Sequence, residues 1–325
     1  MGDPAGCGPQ ITQSAWMARS DEALSPFFVI ADPCVFDPAL PVALISAPHE
    51  VTDQFNSALP VLPIDLNARG GLERGKPDPR FAEAITRSIR RATDLCLSGD
   101  AAAMVTNPIN KSVLYQTGFS FPGHTEFIAD LCSTPEAPIK PVMMLVGGGL
   151  RVALATIHVP LMAVQEHLTS EALSAIALTT HKALQRDFGI ERPKLAFSGL
   201  NPHAGEDGTI GREEQDMINP LAASLRAQGM DISNARPGDT VFHEALTGAY
   251  DTVIAMTHDQ GLIPVKTLDM WGGVNTTLGL PIIRTSPDHG TAYEAAAERT
   301  CRADSLIAAL KLADQMAEQR AQVDG

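Results

Sequence analysis

Short runs of apolar and β-branched residues recur along this chain, separated by longer stretches whose apolar residues fall at helical spacing. That alternation restricts the fold to a largely parallel sheet covered by helices on its faces. Candidate strands are Phe27 to Ala31, Ala102 to Thr106, Val152 to Ile157, Lys194 to Ser198 and Thr252 to Thr257. Between them, Pro79 to Leu97 places Phe81, Ala84, Ile85, Ile89 and Ala92 on one helical face, and Ser170 to Phe188 and Gln215 to Gln228 repeat that spacing. Ser305 to Ala321 closes the chain as an amphipathic helix. The 325 residues hold no internal repeat, low-complexity tract or flexible linker. If two lobes form, they are joined by short crossings within one continuous α/β fold.

Charge and cysteine usage narrow the function. Lys and Arg number 24 against 38 Asp and Glu, a net charge of −14, which repels nucleic-acid phosphates and anionic membrane surfaces. Any phosphate must therefore be gripped locally. Cys7, Cys34, Cys96, Cys132 and Cys301 form no CxxC pair, which speaks for reduced thiols and a cytoplasmic chain. No basic segment followed by an apolar stretch opens the sequence, and the longest apolar run, Val142 to Ile157, is interrupted by Gly147, Gly148, Gly149 and Arg151. Neither secretion nor a membrane span is expected.

Three of the candidate strands run into a histidine: VALATI before His158, LAFSGLNP before His203 and TVIAMT before His258. In an open parallel sheet the carboxyl ends of the strands share one edge, where ligands bind, so imidazoles distant in sequence can meet there. Three neutral imidazoles with a coordination position left open describe a catalytic metal site, and several divalent metals suit such ligands. Glu206 and Asp259 are placed to orient the rings. The alternative for each histidine taken singly is a hydrogen-bonded structural group. His49, His167, His181 and His243 lack such contexts and read as surface or helix residues.

Other segments offer places for anions. Gly2, Gly6 and Gly8 in GDPAGCGPQI precede a predicted helix, where bare backbone N–H groups can approach an anion, or where a tight structural turn is simply required. TNPINK, Thr106 to Lys111, follows a strand, and PGHTEF, Pro122 to Phe127, sets His124 and Thr125 in a turn. Lys266, Asn275 and Arg284 lie downstream of His258 and offer two cations and an amide for a phosphate and a carboxylate. No GxGxxG follows a strand, so a dinucleotide would bind without the Rossmann fingerprint.

Taken together, GDPAGCGPQI, TNPINK, PGHTEF, GLNPHAGEDG, THDQGLIPVK and GVNTTLGLPIIRTSPDHGTA resemble the 4-hydroxythreonine-4-phosphate dehydrogenase family of pyridoxal phosphate biosynthesis, from residue 1 to the C-terminal helix. The resemblance implies an α/β fold like that of isocitrate and isopropylmalate dehydrogenases, with two α/β/α lobes around a mostly parallel sheet and a cleft between them. It implies a first lobe of residues 1–125 and 277–325 on the cofactor side. A second lobe, residues 126–276, would carry the metal site and dimer contacts. It also implies a homodimer with its active site at the subunit interface, NAD or NADP as oxidant, and one divalent ion per site, Zn²⁺, Mg²⁺ or Co²⁺. The family's metal ligands fall on His158, His203 and His258, and its substrate contacts on His124, Thr125, Lys266, Asn275 and Arg284. The wider fold's His-Gly-Ser/Thr-Ala cofactor loop is similar to His289, Gly290, Thr291 and Ala292. Two departures stand out: the strand that usually precedes GDPAG is absent, and YEAAAERTCRADSL follows HGTA where the family tends to have a glycine-containing stretch.

The implied reaction is oxidation of 4-phosphohydroxy-L-threonine to 2-amino-3-oxo-4-phosphooxybutanoate, which decarboxylates to 3-amino-2-oxopropyl phosphate. Asp259 and Lys266, by adjacency, are the candidate proton acceptors. Two rivals remain: a relative acting on threonate or erythronate 4-phosphate, and a metal-dependent hydrolase, which the same histidines would serve.

Overall fold

The structure is a computed structural model that describes residues 1–67 and 71–324. Among these residues eleven strands form: β1 (Val29–Ala31), β2 (Val42–Leu44), β3 (Leu59–Pro63), β4 (Met104–Val105), β5 (Val142–Gly147), β6 (Leu150–Leu154), β7 (Lys194–Ser198), β8 (Asp231–Arg236), β9 (Thr252–Ala255), β10 (Val274–Leu278) and β11 (Arg284–Pro287). The chain divides into two compact units, the first holding Met1–Pro141 and Leu280–Gln315, the second Val142–Gly279 and the last helix from Met316 onward. The divisions fall at 141/142, 279/280 and 315/316, where the family resemblance implies 125/126 and 276/277 with the whole C-terminal stretch in the first lobe.

In the first unit β3 lies between β1 and β2, all parallel. β4 pairs in parallel with β11, setting Met104 opposite Arg284 and Val105 opposite Thr285. The helix Ala82–Leu97 grows from a turn, Pro79–Phe81, that starts where the Asp78 carboxylate accepts from Arg80 N at 2.9 Å. Its buried face, Ala84, Ile85 and Ile89, packs with Val61, Phe81, Leu114 and Phe127 into one core. Burying each large side chain there contributes roughly 1.5–3 kcal/mol.

In the second unit the sheet runs β10-β5-β6-β9-β7-β8. β5 is antiparallel to both β10 and β6, whereas β6, β9, β7 and β8 are mutually parallel. The glycines that interrupt Val142 to Ile157 make a hairpin: Gly148 and Gly149 take φ of 58° and 83°, the left-handed pair that a tight two-residue turn requires. Ser170–Arg186 is a helix from the position expected, capped by Thr169 Oγ1, which accepts from Ala172 N at 3.1 Å. Leu173, Ala177 and Leu184 on it meet Leu195, Phe197 and Ile254 from the sheet. The last helix is tied to this unit by Arg320, which donates to Asp187 Oδ1 at 2.8 Å.

Candidate active site

The parallel arrangement of β6, β9 and β7 sends their carboxyl ends to one edge, as the sequence pattern requires. The histidines stand beyond the strands rather than at their last residues: His158 four past Leu154, His258 three past Ala255 and His203 five past Ser198. His258 opens the helix His258–Leu268. Its ring centroid lies 5.5 Å from that of His158, the planes inclined at 43°. Asp259 Oδ1 sits 2.8 Å from His258 Nδ1. With its proton on Nδ1 the ring donates to this carboxylate and presents Nε2 to a ligand.

Among the described residues no three His, Cys, Asp or Glu side chains are gathered to hold a metal ion. Two of the expected rings therefore come together within one chain, and the exposed His203 does not complete a set with them. His203 sits in a left-handed turn: His203, Ala204, Gly205, Glu206 and Asp207 have φ of 52°, 51°, 80°, 43° and 53°. Such a turn costs roughly 1–2 kcal/mol per non-glycine residue and needs outside support. Glu214, 1% exposed, supplies it. Its Oε1 accepts from Asn201 N at 2.8 Å, and its Oε2 accepts from Asn201 Nδ2 at 3.0 Å.

The loops after β6, β9 and β7 are joined to one another. Thr156 Oγ1 donates to the Met256 carbonyl at 2.7 Å. Met256 N donates to Gln260 Oε1 at 2.7 Å, and Gln260 Nε2 donates to the Gly199 carbonyl at 2.7 Å. In the same unit Lys266 lies half-buried on the helix begun by His258. Asn275, on β10, holds a buried Oδ1 with no hydrogen-bond partner among the described residues, an acceptor suited to an ammonium or hydroxyl group.

The first unit contains Arg284 and Lys111. Arg284, 3% exposed, directs Nε and Nη2 to Thr106 Oγ1 at 3.2 and 2.7 Å. Burial pushes its guanidinium down to about 10 against the pull of Glu126. His124 and Thr125 do not form the expected turn but begin the helix His124–Cys132, with Gly123 as its N-cap. Burial, then the charges of Arg284, the Met1 amino group and Lys111, holds the His124 imidazole well below its ordinary value, so it is neutral at pH 7. A Cβ built on Gly123 would lie 3.6 Å from Lys111 Nζ, which puts that ammonium beside the same helix start.

The His289–Ala292 loop is braced by the first residues of the chain. Cys7 N donates to the Thr291 carbonyl at 2.8 Å, and Tyr293 OH donates to Asp3 Oδ2 at 2.6 Å. His289 Nδ1 lies 2.9 Å from the Gly290 carbonyl and 3.9 Å from Cys7 Sγ. A Cβ on Gly2 would come within 2.7 Å of Asn107 Cβ, and one on Gly6 within 2.9 Å of the Thr291 carbonyl. Close packing at these glycines supports the structural-turn reading. YEAAAERTCRADSL supplies the short helix Tyr293–Glu298 and the start of the long one at Asp304.

Sequence reasoning passed over Gln260, Glu214, Asn201 and Tyr293. Gln260 stands two residues from His258, and proximity to a proposed ligand was the signal for it. Glu214 and Tyr293 act across distances that no spacing rule reports.

The family model described as pyridoxal phosphate biosynthetic protein PdxA matches residues 22–313. This chain belongs to the PdxA family. A relative from Maricaulis maris (strain MCS10), named 4-hydroxythreonine-4-phosphate dehydrogenase, is 48% identical, covering 99% of this chain and 97% of its own length. The crystal structure of 4-hydroxythreonine-4-phosphate dehydrogenase from Klebsiella pneumoniae superposes with a TM-score of 0.86 at 35% identity, covering 98% of each chain. A terephthalate 1,2-cis-dihydrodiol dehydrogenase from Burkholderia xenovorans LB400 superposes with a TM-score of 0.65 at 25% identity, over 97% of this chain and 96% of that one. PdxA membership accounts for the isocitrate dehydrogenase-like α/β architecture with its mostly parallel strands.

Proposed function

We propose that this chain is an NAD-dependent, divalent-metal-dependent dehydrogenase that oxidises 4-phosphohydroxy-L-threonine to 2-amino-3-oxo-4-phosphooxybutanoate, whose loss of CO₂ gives 3-amino-2-oxopropyl phosphate. The observation that carries this reading is full-length likeness to proteins named for that dehydrogenase, joined to the facing pair His158 and His258. The donor set suits a divalent ion: two imidazoles 5.5 Å apart between ring centroids, one oriented by a carboxylate. His203, exposed on its loop, is read as the third ligand. In a homodimer with its site at the subunit interface, ligands can come from both copies.

A divalent ion on these histidines supplies Lewis acidity toward the alcohol and the new carbonyl, and NAD, held at His289, Gly290, Thr291 and Ala292, supplies the hydride acceptor. The chain's own groups do the rest. Arg284 grips phosphate or carboxylate through charge-assisted bonds, with Lys111 and the donor-capable His124 and Thr125 near it in the first unit. Asn275 Oδ1 accepts from the substrate amine. Asp259 is committed to orienting His258, which leaves Lys266 as the candidate acceptor of the hydroxyl proton. Positioning of this kind supplies ~7 kcal/mol or more of a barrier. Among the described residues no cysteine is in a disulfide, and the cytoplasm is the compartment this reading assigns.

The test is NADH absorbance on 4-phosphohydroxy-L-threonine beside threonate and erythronate 4-phosphates, before and after chelation, with His203→Ala alongside. A folded His203→Ala protein without metal or turnover is expected. Near-normal rates after chelation and dialysis overturn the scheme, and preference for a substrate lacking the amine reassigns it.

A further inference from the structure

We propose that Gln260 is a positioning residue that presets the backbone ahead of His203 and His258 before a cation arrives; the inference rests on the metal reading above. One carboxamide serves two loops. Its Oε1 accepts from Met256 N at 2.7 Å, two residues before His258, and its Nε2 donates to the Gly199 carbonyl at 2.7 Å, four residues before His203. The Gln260 N–H in turn caps onto Thr257 Oγ1 at 3.4 Å, which fixes where the side chain starts.

The bridge is part of a continuous line. Met256 is fully buried, and its carbonyl is taken by Thr156 Oγ1, two residues before His158. Beyond Gly199, Asn201 is clamped by Glu214 through its N–H and its amide, and the Asn201 carbonyl accepts from Ala204 N at 3.1 Å inside the left-handed turn. Hydrogen bonds thus cross from the β6 loop to the β9 loop to the β7 loop, each a short step before a histidine. Only a group that accepts and donates at once, at glutamine's reach, joins the middle pair, because it faces an N–H on one side and a carbonyl on the other. Without it the buried Met256 N–H loses its partner and the Gly199 carbonyl keeps only the longer 3.5 Å contact from Ser198 Oγ, so the stretch leading to the left-handed turn loses an anchor.

The test uses the full chain, made metal-free by chelation, as wild type, Gln260→Ala and Gln260→Met. The methionine keeps the bulk and removes only the polar bridge, so it carries the test if the alanine variant does not fold. Zn²⁺ affinity is read by competition with a chromophoric chelator, and amide hydrogen exchange is followed across residues 199–208 in the absence of metal. The expected result is a loss of Zn²⁺ affinity of about tenfold or more, with faster exchange in that segment. A merely structural role predicts a lower melting temperature with Zn²⁺ affinity within a few-fold of wild type, and that outcome overturns the proposal while the metal reading stands. A wild-type protein that binds Zn²⁺ no better than His203→Ala defeats the metal reading itself, and the proposal with it.

Discussion

Tyr293 reaches 290 positions back along the chain to donate a 2.6 Å hydrogen bond to Asp3 Oδ2, a carboxylate that is 1% exposed. The same Asp3 accepts from Ala5 N through Oδ1 at 2.9 Å, so the first loop is pinned on both oxygens. Tyr293→Phe removes one bond to a buried charge and is expected to cost about 1–3 kcal/mol. Urea unfolding reads it. An unchanged midpoint would show that water replaces the phenol without penalty.

His124 gives the protein a pH dependence with a definite sign. Its folded-state value is depressed by burial and by the nearby cations, while in the unfolded chain it titrates near 6.5. The unfolded state therefore binds the proton first, so this contribution is intact above that value and is lost as the pH falls below it. The slope from this one group is at most ~1.4 kcal/mol per pH unit. Unfolding measured between pH 7 and 5 should show a shallower fall for His124→Gln than for wild type.

Arg284 offers Thr106 two nitrogens of a planar fork from a buried position, a geometry an ammonium cannot reproduce. Arg284→Lys is expected to raise KM for the phosphorylated substrate about 10- to 100-fold, by loss of roughly one charge-assisted bond. Steady-state kinetics with NADH detection decide it, and an unchanged KM removes Arg284 from the anion site.

Gly205 is buried at φ 80°, and a Cβ there would stand 2.7 Å from both Glu214 Oε2 and the Gly211 carbonyl. Gly205→Ala should destabilise the second unit by about 2 kcal/mol or more and weaken divalent-ion binding. Thermal unfolding with and without added Zn²⁺ separates the two effects.

Arg320 and Asp187 form an ion pair with side-chain exposures of only 14% and 7%. Arg320→Ala leaves the carboxylate buried beside a lost cation and should cost about 3 kcal/mol. The loss should be visible as release of the last helix in limited proteolysis.

What the sequence disclosed and what it withheld follow from the range of the forces involved. Lys194–Ser198 was legible as a strand and Ser170 as a helix start because hydrophobic periodicity and a threonine cap are local. β2, three residues long, is too short to write a period, and its pairing with β3 alone makes it a strand, whereas β4 lies inside the expected Ala102 to Thr106. His158 and His258 were legible as neighbours because parallel strands align their ends. The left-handed course of His203 to Asp207 was not, since Ala204 and Glu206 within it are types that ordinarily avoid that conformation. Gln260 and Glu214 were silent for a related reason: each takes a backbone group, the Gly199 carbonyl and the Asn201 N–H, from another segment of the chain, and backbone groups are the same in every residue.

The turn that bears His203 is a short piece of helix of the opposite hand. The His203 side chain on it is exposed, while the backbone at Gly205 stays close to Glu214. Mirror-image amino acids would sit there without strain. A D-alanine placed at position 204 by chemical ligation should fit this loop better than the natural residue does.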